Sequence, residues 1–227
     1  MAVLFTSRAP EYSVSMTIWF ATGNAHKKQE LQAILQGHTI KIPADAGITG
    51  FDPDETGATF LENALIKARA LHQLIADRFP AETGPVIADD SGLCVDALGG
   101  RPGIYSARYC GPVVAGDGSS TGNGNKLEAG ERNALLLREV GDAPNRSARF
   151  VCAMVLLFGN DRFFAVQETL EGRLIREERG AGGFGYDPIL FIPELGRTVA
   201  ELSEAEKNRI SHRGKAGKAI AKLLADG

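Results

Sequence analysis

The stretch Val86-Ile-Ala-Asp-Asp-Ser-Gly-Leu-Cys-Val-Asp96 constrains this chain more than any other. Val86, Ile87 and Ala88 form a short apolar run suited to a buried strand, and it leads straight into adjacent carboxylates, Asp89 and Asp90, followed by Ser91 and Gly92. In α/β proteins, strand ends open onto the crevices where ligands bind. Two neighbouring carboxylates there cannot both ionise cheaply unless a cation compensates or one takes a proton. One reading is therefore a divalent-metal site with a general base. The plain alternative is a solvated turn, which Asp-Asp-Ser-Gly composition favours when taken alone.

At 227 residues the chain can bury a sizeable core. Its 44% hydrophobic and 23% charged content is that of an ordinary globular protein. A net charge of −3 carries no global basic footprint for nucleic acid, so an anionic substrate must meet a local cluster of cations. No apolar run approaches a membrane span. In Met1 to Ser15, Arg8 follows the brief apolar patch instead of preceding it, which is not signal-peptide order. Residues 1–16 read as a disordered extension, with Met16 as an alternative start, ahead of one domain over 17–227. Cys94, Cys110 and Cys152 are odd in number and widely spaced, which argues against a disulfide framework and for a reducing, cytoplasmic location.

Thr17 to Thr22 reads as a buried strand, Gly23 to His26 as a turn and Lys27 to Leu35 as a helix. From Ala58 to Asp77, Leu61, Ala64, Leu65, Ala68, Leu71 and Ile75 recur at three- and four-residue steps, a helical apolar stripe. Leu127 to Val140 reads as a third helix. Ala148 to Phe158 and Arg162 to Thr169 read as a hairpin turning at Gly159, Asn160 and Asp161. Ser203 to Glu206 fits a capping box, and Ala216, Ala219, Ile220, Leu223 and Leu224 mark a C-terminal amphipathic helix. Gly116 to Asn125 has no apolar anchors and is predicted to be mobile. Without a repeat or a linker, this pattern predicts a single α/β unit.

Four polar clusters lie at the ends of these elements. Thr22, Gly23, Asn24, Ala25, His26 and Lys27 form a strand-to-helix turn whose N–H groups and lysine suit phosphate, or else an ordinary turn with a surface lysine. Walker A spacing is absent. Asp54 and Glu55 precede the long helix, on which Asn63 and Lys67 share a face. Either acid could join Asp90 around a hard cation such as Mg²⁺, although an isolated Asn/Lys pair is more often a solvated flank. Gly180 to Pro188 places four glycines in six positions next to Phe184 and Tyr186. Such a backbone can approach a flat ligand closely and the rings can stack on it, unless they belong to the core. Lys207, Arg209, His212 and Arg213 form a cation cluster or a solvated charge run.

Any one of these motifs is weak. Six stretches in order resemble the inosine/xanthosine triphosphate pyrophosphatase family, the enzymes that sanitise the nucleotide pool. They are Ala21 to Lys27, Glu55 to Ala68, Ile87 to Leu93, Leu98 to Tyr109, Gly182 to Pro188 and Lys207 to Gly214. The resemblance implies an ITPase-like α/β fold, with a long mixed β-sheet, flanking helices and two lobes around a central cleft. It implies hydrolysis of ITP, dITP and XTP to the monophosphate and pyrophosphate, Mg²⁺ as cofactor, and a homodimer with no nucleic-acid or membrane partner.

By the same resemblance, Thr22 to Lys27 and Lys67 hold the triphosphate. Asp90 is the proton acceptor and a metal ligand, Ser91 touches substrate, and Asp54 or Glu55 is a second metal ligand. Phe184, Gly185, Tyr186, Asp187, Lys207, His212 and Arg213 fall at nucleoside-binding positions. Arg213, always charged, is the expected donor to a purine 6-oxo group, rejecting the 6-amino group of adenine. Two rivals are a Maf-like pyrophosphatase for modified or pyrimidine nucleotides and a nucleotide-binding module without catalysis. The Ser-His-Arg segment and the Gly-Gly-Phe-Gly-Tyr-Asp loop, suited to a 6-oxo group, argue against the first. Asp90 with its acidic and lysine partners argues against the second, since a binder needs no general base.

Overall fold

The computed structural model describes residues 15–111, 127–159 and 162–226. Along the chain lie β1 (Thr17–Phe20), α1 (Ala25–Ile34), β2 (Thr39–Lys41), α2 (Phe60–Arg78), β3 (Val86–Val95) and α3 (Ala129–Val140). They are followed by β4 (Ser147–Leu157), β5 (Phe163–Leu174), β6 (Leu190–Ile192), β7 (Arg197–Thr198), α4 (Glu204–Ile210) and α5 (His212–Asp226). The strands form one seven-stranded sheet in the order β2-β1-β3-β4-β5-β6-β7. β1 is parallel to β2 and β3, and each later neighbouring pair is antiparallel. The chain is thus an α/β protein built on a mixed sheet. No described helix is long and apolar enough to cross a membrane.

Strand alternation sorts the core into layers, because successive side chains point to opposite faces. Ile18 and Phe20 of β1, Ile87 of β3 and Cys152, Met154 and Leu156 of β4 face α1 and α5, packing with Leu31, Leu35, Ala216 and Ile220. Trp19, Ala21, Val86, Ala88, Val155 and Leu157 face the other way, onto Ala64, Ala68, Leu71 and Ile75 of α2. Further along the same two long strands, Leu93, Val95 and Phe150 join Leu136 and Val140 of α3 in another cluster.

The helices begin where their caps are. Asn24 Oδ1 accepts the His26 and Lys27 N–H groups, so α1 starts two residues earlier than its apolar pattern suggests. Thr59 Oγ1 accepts the Glu62 N–H while Glu62 reaches back to the Thr59 N–H, a capping box that opens α2. Leu61, expected in the stripe, is 40% exposed: it sits in the first turn of α2, ahead of Ala64, where the buried apolar stripe begins. The expected box at Ser203 and Glu206 opens α4.

β3 departs furthest from the sequence reading. It does not end at the carboxylates but runs through them to Val95, so Asp89 to Gly92 are strand and the solvated-turn alternative fails. β4 supplies the reason, since it pairs with β3 without interruption from Val86↔Leu157 to Val95↔Ala148. On the opposite side β1 gives out at Phe20↔Ile87. The carboxylates therefore follow directly where one neighbouring strand ends and the other continues, the kind of position at which open α/β sheets bind ligands. The strands flanking the hairpin pair as expected, with Leu157 opposite Phe163. Its Asn160 and Asp161, residues 1–14 of the expected 1–16 extension and the Gly116 to Asn125 loop lie outside the described residues.

Candidate active site

Parity along β3 separates the two carboxylates. Asp89 shares the face of Ile87 and points towards α1 and α5, while Asp90 shares the face of Ala88 and points towards α2. They are not a dyad sharing one proton; each has its own cations. Asp90 Oδ1 is 3.2 Å from Lys67 Nζ, and Asp90 Oδ2 accepts from Asn63 Nδ2 at 3.2 Å. The same ammonium donates to Glu55 at 2.7 Å, and Glu55 also pairs with Arg108 at 3.0 Å. Burial, reinforced by Glu55 and only partly offset by Lys67, holds the Asp90 carboxyl above its ordinary value. Burial also pushes Glu55 up, but Lys67 and Arg108 bring it below the ordinary value. Asn63 and Lys67 are buried, so the solvated-flank alternative fails for this pair.

Of the two acids ahead of α2, Glu55 is joined to Asp90 through Lys67, whereas Asp54 is exposed. Glu55 and Asp90, which share the Lys67 ammonium, are the carboxylates that could hold a hard cation together with phosphate oxygens and water. Among the described residues no group of three or more His, Cys, Asp or Glu side chains is arranged to hold a metal alone.

On the other face, Asp89 is fully enclosed. Lys27 Nζ lies 3.1 Å from both of its oxygens, and Arg213 donates to it through Nε at 3.2 Å and Nη2 at 2.8 Å. Burial pushes the Asp89 carboxyl up, yet Lys27 and Arg213 outweigh it and keep the group ionised far below its ordinary range. Burial also lowers Lys27. Lys27 is thereby aimed from the β1–α1 turn at the carboxylate pair. In that turn, Thr22 is buried and accepts the Asn24 N–H at 3.1 Å, while Gly23, Ala25 and His26 are exposed. The N–H groups of His26 and Lys27, expected to face phosphate, are capped by Asn24.

The glycine-rich loop differs in detail from its sequence reading. Tyr186 is core: its ring is buried, and its hydroxyl donates to the Ser106 carbonyl at 3.0 Å. Phe184 is the ring that borders the site, stacked on His26 at 5.9 Å with Lys207 Nζ 4.4 Å above its centroid. Most of the glycines serve the chain's own packing. A Cβ at Gly180 or Gly182 would meet the Ala200 backbone at 2.7 or 2.8 Å, and one at Gly183 would meet the Asp187 carboxylate at 2.1 Å. Only at Gly185 is the space open. Asp187 is buried, accepts the Phe184 N–H at 2.8 Å and pairs with Lys207 at 2.9 Å.

His212 and Arg213 open α5 as buried residues, not as a solvated run. His212 stacks on Phe150 at 4.9 Å, and its Nδ1 is a buried atom without a protein partner. Arg213 does not present a free fork: it donates to Asp89, to Glu30 at 2.6 Å and to Ser91 Oγ at 2.9 Å. It therefore ties the Asp89 and Glu30 carboxylates together at the position where the sequence suggests a donor to the base. The sequence reading missed Glu30 and Arg108. For Glu30 a signal existed, since it lies three residues after Lys27 and so on the same face of α1.

Where β1 ends, this mixed α/β sheet brings together a buried carboxylate, a lysine shared with a second acid and a lysine from the β1–α1 turn, a charged site suited to a phosphate-bearing ligand. The chain belongs to the Ham1 family, whose model matches residues 18–223. It is 49% identical over 209 residues to the dITP/XTP pyrophosphatase of Treponema denticola, covering 92% of this chain and 98% of that one. Its identity to the dITP/XTP pyrophosphatase of Shigella flexneri is 43%, over 91% of this chain and 97% of the relative. Among solved structures, a HAM1 protein from Coxiella burnetii superposes with a TM-score of 0.77 at 34% identity, covering 93% of this chain and all of the other. The Staphylococcus aureus Ham1 protein gives 0.75 at 34% identity, over 92% and 98%.

Proposed function

We propose that this chain hydrolyses the deaminated purine nucleoside triphosphates ITP, dITP and XTP to the monophosphate and pyrophosphate, removing them from the nucleotide pool. The observation that carries the reading is the Asp90–Lys67–Glu55 group at the sheet switch point, in a chain whose relatives are dITP/XTP pyrophosphatases. Asp90 is the general base: burial raises its proton affinity, and Asn63 fixes the orientation of its carboxylate. Lys67 and Lys27 offset charge on the triphosphate. Asp90 and one acid ahead of α2 hold Mg²⁺, and Glu55 is preferred to the exposed Asp54 because Lys67 already joins it to Asp90. When bound, the ion supplies charge neutralisation at the phosphate oxygens. Phe184 and Lys207 form the nucleobase end, beside His212. Residues 17–227 act as one two-lobed unit, working as a homodimer in the cytoplasm on a free nucleotide.

A screen of nucleoside triphosphates with Mg²⁺ tests the reading. Pyrophosphate and a monophosphate should appear from ITP, dITP and XTP in strong preference to ATP, and a chelator should stop the release. Orthophosphate as the primary product, or equal hydrolysis of ATP, would sink the assignment.

A further inference from the structure

We propose that Glu30 is a positioning residue that joins the nucleobase end of the site to its phosphate end. Its two oxygens hold different cations: Oε1 lies 2.9 Å from Lys207 Nζ and Oε2 lies 2.6 Å from Arg213 Nη1. Lys207 continues to Asp187 at 2.9 Å and covers Phe184. Arg213 continues to Asp89 at 2.8 Å, and Asp89 to Lys27 at 3.1 Å. The charges alternate without a break, Asp187, Lys207, Glu30, Arg213, Asp89, Lys27, from the glycine-rich loop to the phosphate turn.

Three carboxylates balance three cations in this chain of pairs, all largely removed from water. Burying charge is tolerable only with such pairing. Glu30 is its midpoint. Without it, among the described residues, Lys207 keeps Asp187 as its carboxylate partner and Arg213 keeps Asp89, and the two halves are no longer tied. Glu30 also rides on α1 three residues beyond Lys27, so one rigid helix carries both the phosphate lysine and the junction. Sites held on helices and locked by neighbouring hydrogen bonds keep their geometry best. Both Glu30 oxygens are engaged by Lys207 and Arg213, so it acts through these two cations. It sets where Lys207 meets the base and, through Arg213 and Asp89, where Lys27 meets the phosphates.

The inference rests on the pyrophosphatase reading above, and its test separates the two. The full chain and its Glu30→Gln and Glu30→Asp variants are compared by kcat and KM for ITP and for ATP, with pyrophosphate release as the readout and urea midpoints for stability. Gln keeps the shape but loses the charge and turns an amide donor towards a cation. Asp keeps the charge but is one methylene too short to span both partners. The ITP-to-ATP ratio of kcat/KM should fall about fivefold or more in Glu30→Gln, at the lower end of coupling between sites. Turnover of ITP should fall in the same variant, and Glu30→Asp should lie between Gln and the parent. A merely structural role lowers the active fraction for both substrates alike and leaves the ratio where it was. An unchanged ratio in Glu30→Gln, or in Glu30→Asp should Gln not fold, overturns the proposal. A parent chain that releases no pyrophosphate from ITP overturns the functional reading instead.

Discussion

Adjacent in sequence, Asp89 and Asp90 do different work because a strand turns successive side chains to opposite faces. Asp89, enclosed by Lys27 and Arg213, is locked in its ionised form, whereas Asp90, with one shared lysine, is the carboxylate able to accept a proton. Asp90→Asn should keep the fold and lower turnover by roughly a hundredfold or more, the magnitude of a lost general base. Near-normal turnover would move the base elsewhere. Arg213 gives a different expectation from the one its sequence suggests. It is tied to Asp89, Glu30 and Ser91, so Arg213→Met should cost about 3 kcal/mol or more, as breaking a buried charge network does. The urea midpoint reads this, and an unchanged midpoint would return Arg213 to a purely substrate-facing role. For His212, burial and then Arg213 hold the imidazole well below its ordinary value of 6.5. The folded chain keeps it neutral while the unfolded chain takes up a proton. The stability from neutral His212 is therefore full above pH 6.5 and is lost as pH falls below it, at about 1.4 kcal/mol per pH unit. His212→Phe keeps the stack on Phe150 and should flatten that slope in pH-dependent melting. A slope of the same size in the variant would assign it to another group.

Among the elements, the long and strongly patterned ones were legible in advance and the short or interrupted ones were not. α2 declares itself by Ala64, Ala68, Leu71 and Ile75, and α4 by its capping box. β3 hides its length because Asp89, Asp90 and Gly92 break the apolar run, and only the ladder to β4 shows that the strand continues. β2, β6 and β7, of two or three residues, are too short to carry a period. The candidate site follows the same rule. Its motif residues could be named from the chain, but the partners that assign their roles could not, since Arg213 meets Glu30 across 183 positions. Gly214 lies in the first turn of α5, against α4. A Cβ there would stand 2.0 Å from the Asn208 carbonyl oxygen of α4, so Gly214→Ala must push α4 and α5 apart just where Lys207, His212 and Arg213 are held. A loss of about 1–3 kcal/mol, the usual cost of overpacking, is expected in the urea midpoint, together with a raised KM for ITP. A variant with the parent's stability and KM would show that the two helices can separate freely.

At the scale of the molecule, one sheet places two charged systems back to back across β3. On the α2 side lie Glu55, Lys67 and Asp90; on the α1 and α5 side lie Lys27, Asp89, Arg213, Glu30 and Lys207. Where β1 ends, the two systems meet at the carboxylate pair, and a triphosphate lying there would have Asp90 on one side and Lys27 on the other. In the proposed reaction Asp90 directs water onto the α-phosphorus, so that the whole pyrophosphate departs. Hydrolysis of ITP in water enriched in heavy oxygen, with both products weighed by mass spectrometry, tests this most directly. The label should enter the monophosphate alone and leave pyrophosphate unlabelled. Heavy oxygen in the pyrophosphate would mean that water attacks the β-phosphorus, and would rule out this role for Asp90.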